Sequence, residues 1–74
     1  MKKKCDISFI VVNYNGAEHT RGLLSSFLFY LRDYDYEVIV VDNGSKYNEA
    51  ADLEREFPQF IYIRSELNLV YNAY

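Results

Sequence analysis

The chain has 74 residues, 50% of them hydrophobic and 18% aromatic, with a formal net charge of -3. This is a globular composition, without the low hydrophobicity of a disordered chain. The acidity excludes a groove-reading nucleic-acid binder, since the one basic cluster is the short terminal run Lys2-Lys3-Lys4, and the single cysteine, Cys5, excludes an internal disulfide and fits a reducing compartment.

MKKKC followed by ISFIVV has the outline of a secretory signal, but Asp6 interrupts it. The apolar run is also shorter than the ~7–15 residues such a segment needs. No stretch approaches the ~18 apolar residues of a membrane span, so the expectation is a cytoplasmic protein. Residues 1–74 are expected to form one small domain, and such a chain buries only about 60% of its unfolded surface.

Ile7-Ser8-Phe9-Ile10-Val11-Val12 is β-branched and nearly continuous, as in strands buried on both faces of a parallel sheet. Asn13-Tyr14-Asn15-Gly16 follows as a turn. Leu23, Leu24, Phe27, Leu28 and Leu31 keep helical spacing. They predict a helix over about Glu18–Arg32, its acid and its base placed favourably for the helix dipole.

Glu37-Val38-Ile39-Val40-Val41 predicts a second buried strand, ended by Asp42-Asn43-Gly44-Ser45. A second helix is expected over about Asn48–Phe57, capped by Ser45 or Asn48, with Ala50, Leu53 and Phe57 inward and Pro58 beyond its end. Phe60-Ile61-Tyr62-Ile63-Arg64 predicts the third strand, followed by Ser65-Glu66-Leu67-Asn68.

The order β-α-β-α-β implies right-handed crossovers and a parallel sheet covered by helices. In such sheets ligands bind outside the carboxyl ends of the strands. The loops Asn13–Gly16, Asp42–Ser45 and Arg64–Asn68 therefore share one edge, and each is rich in polar side chains.

The common phosphate cradles, GxGxxG and GxxxxGK[ST], are missing, as is any zinc spacing. His19 reads as a solvent-facing helix residue, and Ser25 and Ser26 have no base partner for a nucleophilic triad. Asp33-Tyr34-Asp35 spells a metal-holding DxD but falls at the amino end of the sheet, so it reads as a solvated turn. Asp42 is better placed: a carboxylate at a strand's carboxyl end can accept from a base imide N–H or a ribose hydroxyl. Tyr14 on the adjacent loop can stack on a flat base, an interaction worth ~1–3 kcal/mol.

Ile10-Val11-Val12-Asn13-Tyr14-Asn15-Gly16, then Val40-Val41-Asp42-Asn43-Gly44-Ser45, then Asn68-Leu69 after a third strand resemble the start of the family 2 glycosyltransferases. The wording is nearest to members that resemble bacterial rhamnosyltransferases of cell-surface polysaccharide synthesis. The resemblance implies the nucleotide-binding half of a three-layer, Rossmann-like GT-A fold. It also implies transfer of a sugar, with inversion, from a UDP- or dTDP-sugar to a glycan or lipid acceptor. On this likeness Tyr14 and Asp42 hold the base, Asn13 lines the pocket, Asn43 shapes the loop, and Arg64 or Asn68 lies near the base or diphosphate. Gly44 supplies the backbone freedom of the turn.

The family's DxD, which holds Mg2+ or Mn2+, and its catalytic base come later than any segment of this sequence. Val70 also stands where members have glycine. The chain is therefore expected to supply nucleotide binding without turnover. It should either continue in a missing C-terminal segment or hide its first strand's edge in a homo-oligomer. The alternative is a non-catalytic remnant acting as an oligomeric nucleotide-binding or interaction module.

Overall fold

The computed structural model describes residues 6–65. Five elements alternate as the patterning predicts: β1 (Ile7–Asn13), α1 (Ala17–Tyr30), β2 (Tyr36–Asn43), α2 (Glu49–Glu56) and β3 (Ile61–Ser65). The strands form one parallel sheet in the order β1-β2-β3, so β2 is central. The element order predicts this parallel α/β sheet, and the architecture is consistent with the Rossmann-like, nucleotide-binding half of a GT-A fold that the resemblance implies.

Both helices pack on one face of the sheet. Leu24 of α1 and Leu53 of α2 join Val11, Val38 and Val40 in a single core, closed at its lower end by Phe57 and Phe60. Crossovers that step the same way along the order β1-β2-β3 put successive helices on one face when they share a hand, as right-handed parallel connections do. The described residues thus supply two of the three expected layers, sheet and one helical layer.

The opposite face corrects the expectation that the strands are buried on both sides. Ile10, Ile39 and Ile61 lie in one register row, and Val12, Val41 and Ile63 in the next. The four flanking side chains of these rows, Ile10, Val12, Ile61 and Ile63, are 47–61% exposed. The residues are apolar enough for a doubly covered sheet, but the helices here cover only the face carrying Val11, Val38 and Val40.

Element ends follow local chemistry. α1 stops at Tyr30, two residues before the predicted end, and Arg32 caps it from outside by donating to the Phe29 carbonyl at 3.0 Å. The Tyr34 N–H then bonds the Leu31 carbonyl at 2.9 Å and turns the chain. Asn48 is the cap of α2, its side chain accepting from the Ala51 N–H at 3.1 Å, while Ser45 is used elsewhere. Phe60 belongs to the core rather than to β3, which starts one residue later.

Tyr62 ties β3 to the end of α2, its hydroxyl lying 2.8 Å from the Phe57 carbonyl and 3.2 Å from that of Leu53. Burial pushes its phenol up to about 12, with smaller contributions from Glu54 and Glu56. The unfolded chain ionises this group near 10, so the folded state holds its proton to higher pH. The contribution is complete below pH 10 and is lost as pH rises toward 12. Urea midpoints should therefore drop between pH 9.5 and 11.5 in the wild type, and less steeply in Tyr62→Phe; parallel profiles would refute the assignment.

Candidate functional site

Register builds the site. Parallel pairing sets Asn13 beside Asp42 and Asp42 beside Arg64, a row running across all three strands at their carboxyl ends. Alternation puts these side chains on the helix-covered face, directly above the Val11–Val40–Tyr62 row. Apolar rows thus give way to a polar row at the edge where the three loops leave the sheet.

Asp42 has no solvent exposure, and a buried carboxylate is tolerable only with partners. Its Oδ1 accepts from the Asn13 amide at 3.1 Å and from the Ser45 hydroxyl. Its Oδ2 accepts from Arg64 Nη1 at 2.7 Å. The same guanidinium donates to the Tyr47 carbonyl at 3.1 Å and, through Nη2, to the Ser45 carbonyl at 3.2 Å. Arg64 therefore fastens the loop between β2 and α2 down onto the edge of the sheet.

Asn13 is equally committed. Thr20 donates its hydroxyl to Asn13 Oδ1 at 2.6 Å, which fixes which way the amide points. The amide nitrogen then faces two acids, Asp42 at 3.1 Å and Glu49 Oε1 at 2.8 Å. An amide serves here because it presents two N–H donors toward carboxylates while its oxygen answers a hydroxyl. Among the described residues, every buried polar side-chain atom has a hydrogen-bond partner.

The loops are locked to one another as well. Ser45 Oγ accepts from the Asn15 N–H at 2.8 Å, and the Lys46 N–H donates to Asn15 Oδ1 at 2.8 Å. Asn15 adopts a left-handed conformation with φ 51°, a region asparagine tolerates, and Gly44 sits at φ 79°. The freedom expected of Gly44 is thus used: a Cβ at this position would be strained.

Of the residues named from sequence, Asn13, Asp42 and Arg64 come together in one hydrogen-bonded cluster. Tyr14 stands at the rim, 41% exposed. Asn43 is buried and lies opposite Ser65 in the register. Asn68 lies outside the described residues. Sequence reasoning passed over Thr20 and Glu49, the two helix residues that hold Asn13. Their only signal was placement, one turn into α1 and at the first position of α2, where a helix points back at the preceding strand end.

Asp33-Tyr34-Asp35 lies at the other end of the sheet, its last residue bonded through the backbone to Asp6 (Asp6 N to Asp35 O, 3.0 Å). Among the described residues no three His, Cys, Asp or Glu side chains gather as a metal site. Asp42 and Glu49 are bridged by the Asn13 amide, which donates to both.

The sequence matches the pattern of Glycosyl transferase family 2 over residues 8–73. No curated protein matches it, and no solved structure does.

Proposed function

This chain belongs to glycosyl transferase family 2, and from that premise we propose that its carboxyl edge binds the nucleotide of a UDP- or dTDP-sugar donor. The observation that carries the reading is the Asn13–Asp42–Arg64 row, polar and paired, in register at the edge where parallel α/β sheets take ligands. Tyr14 offers its exposed ring to the pyrimidine. Asp42 provides the acceptor for the base, with Asn13 and Asn43 shaping the surroundings and Arg64, with Asn68, answering the diphosphate.

The activity served is sugar transfer to a cell-surface glycan or lipid acceptor, as in rhamnosyltransferase-like enzymes of bacterial polysaccharide synthesis. A cytoplasmic site, where nucleotide sugars are made, fits this role; among the described residues no helix is long and apolar enough to cross a membrane. None of the described residues is assigned to the chemical step. A divalent cation, Mg2+ or Mn2+, belongs to the proposal through the family, and no described residue is assigned to hold it.

A second reading, an oligomeric binding module without turnover, draws on the bare sheet face. Ile10, Val12, Ile61 and Ile63 form the kind of contiguous apolar surface that proteins use for contact. A second copy or a further segment of a longer chain would supply the missing layer.

Calorimetric titration with UDP and dTDP, with and without Mn2+, tests both readings when sample mass is followed by sedimentation. Binding that is independent of metal and at least ~10-fold weaker in the near-isosteric Asp42→Asn variant is expected, a loss of about 1.4 kcal/mol. No binding at millimolar nucleotide in a folded sample would reject the nucleotide site. An oligomer without binding would favour the module.

A further inference from the structure

Asp42 is sealed from solvent, but its two oxygens are not covered equally. Its Oδ1 is claimed by Asn13 and Ser45, which are 1% and 3% exposed. Both claimants are themselves held, Asn13 by Thr20 and Glu49, Ser45 by the Asn15 N–H. Its Oδ2 accepts from Arg64, whose side chain is 20% exposed. Of the three side chains that hold Asp42, Arg64 is the least buried, about one-fifth exposed. The oxygen that an incoming ligand can meet is therefore the oxygen that Arg64 covers.

We infer that Arg64 is a specificity-determining gate, admitting a pyrimidine to Asp42 when a diphosphate bound beside it, in nature on the same ligand, draws the guanidinium away. This rests on the reading of the edge as a nucleotide site. A neutral imide N–H can replace a hydrogen bond to Oδ2 but not the positive charge, so a bare nucleoside gains little by displacing Arg64. A diphosphate accepts the guanidinium in a bidentate geometry and compensates the charge it gives up. Base and diphosphate each make room for the other, and the site selects a nucleoside diphosphate over a nucleoside.

The gate has a structural consequence. Arg64 also donates to the Ser45 and Tyr47 carbonyls, so its departure removes two fastenings from the loop that follows β2. Gate opening and release of that loop are a single event.

The test is calorimetry on the full chain with four probes: uridine, UDP, inorganic pyrophosphate, and uridine at saturating pyrophosphate. Uridine affinity should rise at least ~10-fold when pyrophosphate is present, and pyrophosphate affinity by the same factor, as linkage requires. In Arg64→Gln, uridine should bind more tightly than to the wild type while UDP binds more weakly, compressing the ratio between them. Arg64→Lys keeps a cation beside Asp42 and should remain gated. Independent binding of uridine and pyrophosphate, or an equal loss of uridine and UDP in Arg64→Gln, would overturn the gate while leaving the nucleotide site standing. Failure of UDP to bind the folded wild type removes the site and the gate with it. Should Arg64→Gln not fold, the wild-type coupling alone decides.

Discussion

Asp42→Ala should remove about 3–5 kcal/mol at 25 °C, a large share of the chain's stability, before any question of ligand arises. The substitution removes the acceptor for Asn13 and Ser45 and the counter-charge of Arg64 at one stroke. Breaking one partner of a buried ion pair costs about 3–5 kcal/mol. A 74-residue chain is stable by only about 4–11 kcal/mol in total. Asp42→Asn keeps an oxygen for Asn13 and Ser45 and gives up the charge, so it should cost about half as much. Urea denaturation followed by circular dichroism measures both. An Asp42→Ala midpoint indistinguishable from wild type would mean that Asp42 is not the centre of the edge. The same reasoning decides how binding must be tested: a loss of nucleotide affinity in Asp42→Ala reports unfolding as readily as a lost base contact, which is why the near-isosteric variant is the informative one.

The sequence was most legible where one pattern has one physical cause. Five elements, their order and the parallel sheet follow from β-branched runs alternating with a helical stripe, and Leu24, Ala50, Leu53 and Phe57 are buried as the spacing requires. Asp42 stands out from its place at a strand end, Asn13 and Arg64 from the family resemblance, and the convergence of the three follows from parallel register. Patterning was less informative about which face is covered. Ile10 and Val11 are both apolar β-branched residues, yet one is 61% exposed and the other 9%, because the helices lie on one side. Leu23 likewise belongs to the predicted stripe but is 42% exposed, beside the fully buried Leu24. The supporting ring of the site was hidden for a different reason. Thr20 and Glu49 are ordinary helix residues whose function depends on where α1 and α2 begin relative to Asn13, a distance no local pattern encodes.

Asn13→Asp is the sharpest test of that supporting ring, because it alters one atom and leaves shape intact. In the wild type the amide nitrogen donates toward Asp42 Oδ1 at 3.1 Å and Glu49 Oε1 at 2.8 Å. A carboxylate there turns both attractions into repulsion between oxygens, in a position with 1% exposure. Hydrogen bonds to charged groups contribute about 1.5–3 kcal/mol each, so the loss at pH 7 should be about 3 kcal/mol or more. Like charges at this spacing are relieved by a shared proton, which raises the carboxyl pKa of the cluster in the folded state above its unfolded value. A raised folded pKa means that the folded chain takes up the proton first. The deficit relative to wild type should therefore shrink as pH falls from 7 to 4 and be largest above the raised pKa. Asn13→Leu removes the same donors without adding charge, so its deficit should not shrink in that way. Chemical denaturation of the three chains at pH 4, 5.5 and 7 separates the cases. If Asn13→Asp and Asn13→Leu lose the same stability at every pH, Asp42 and Glu49 do not share the Asn13 amide, and the carboxyl edge is held by Arg64 alone.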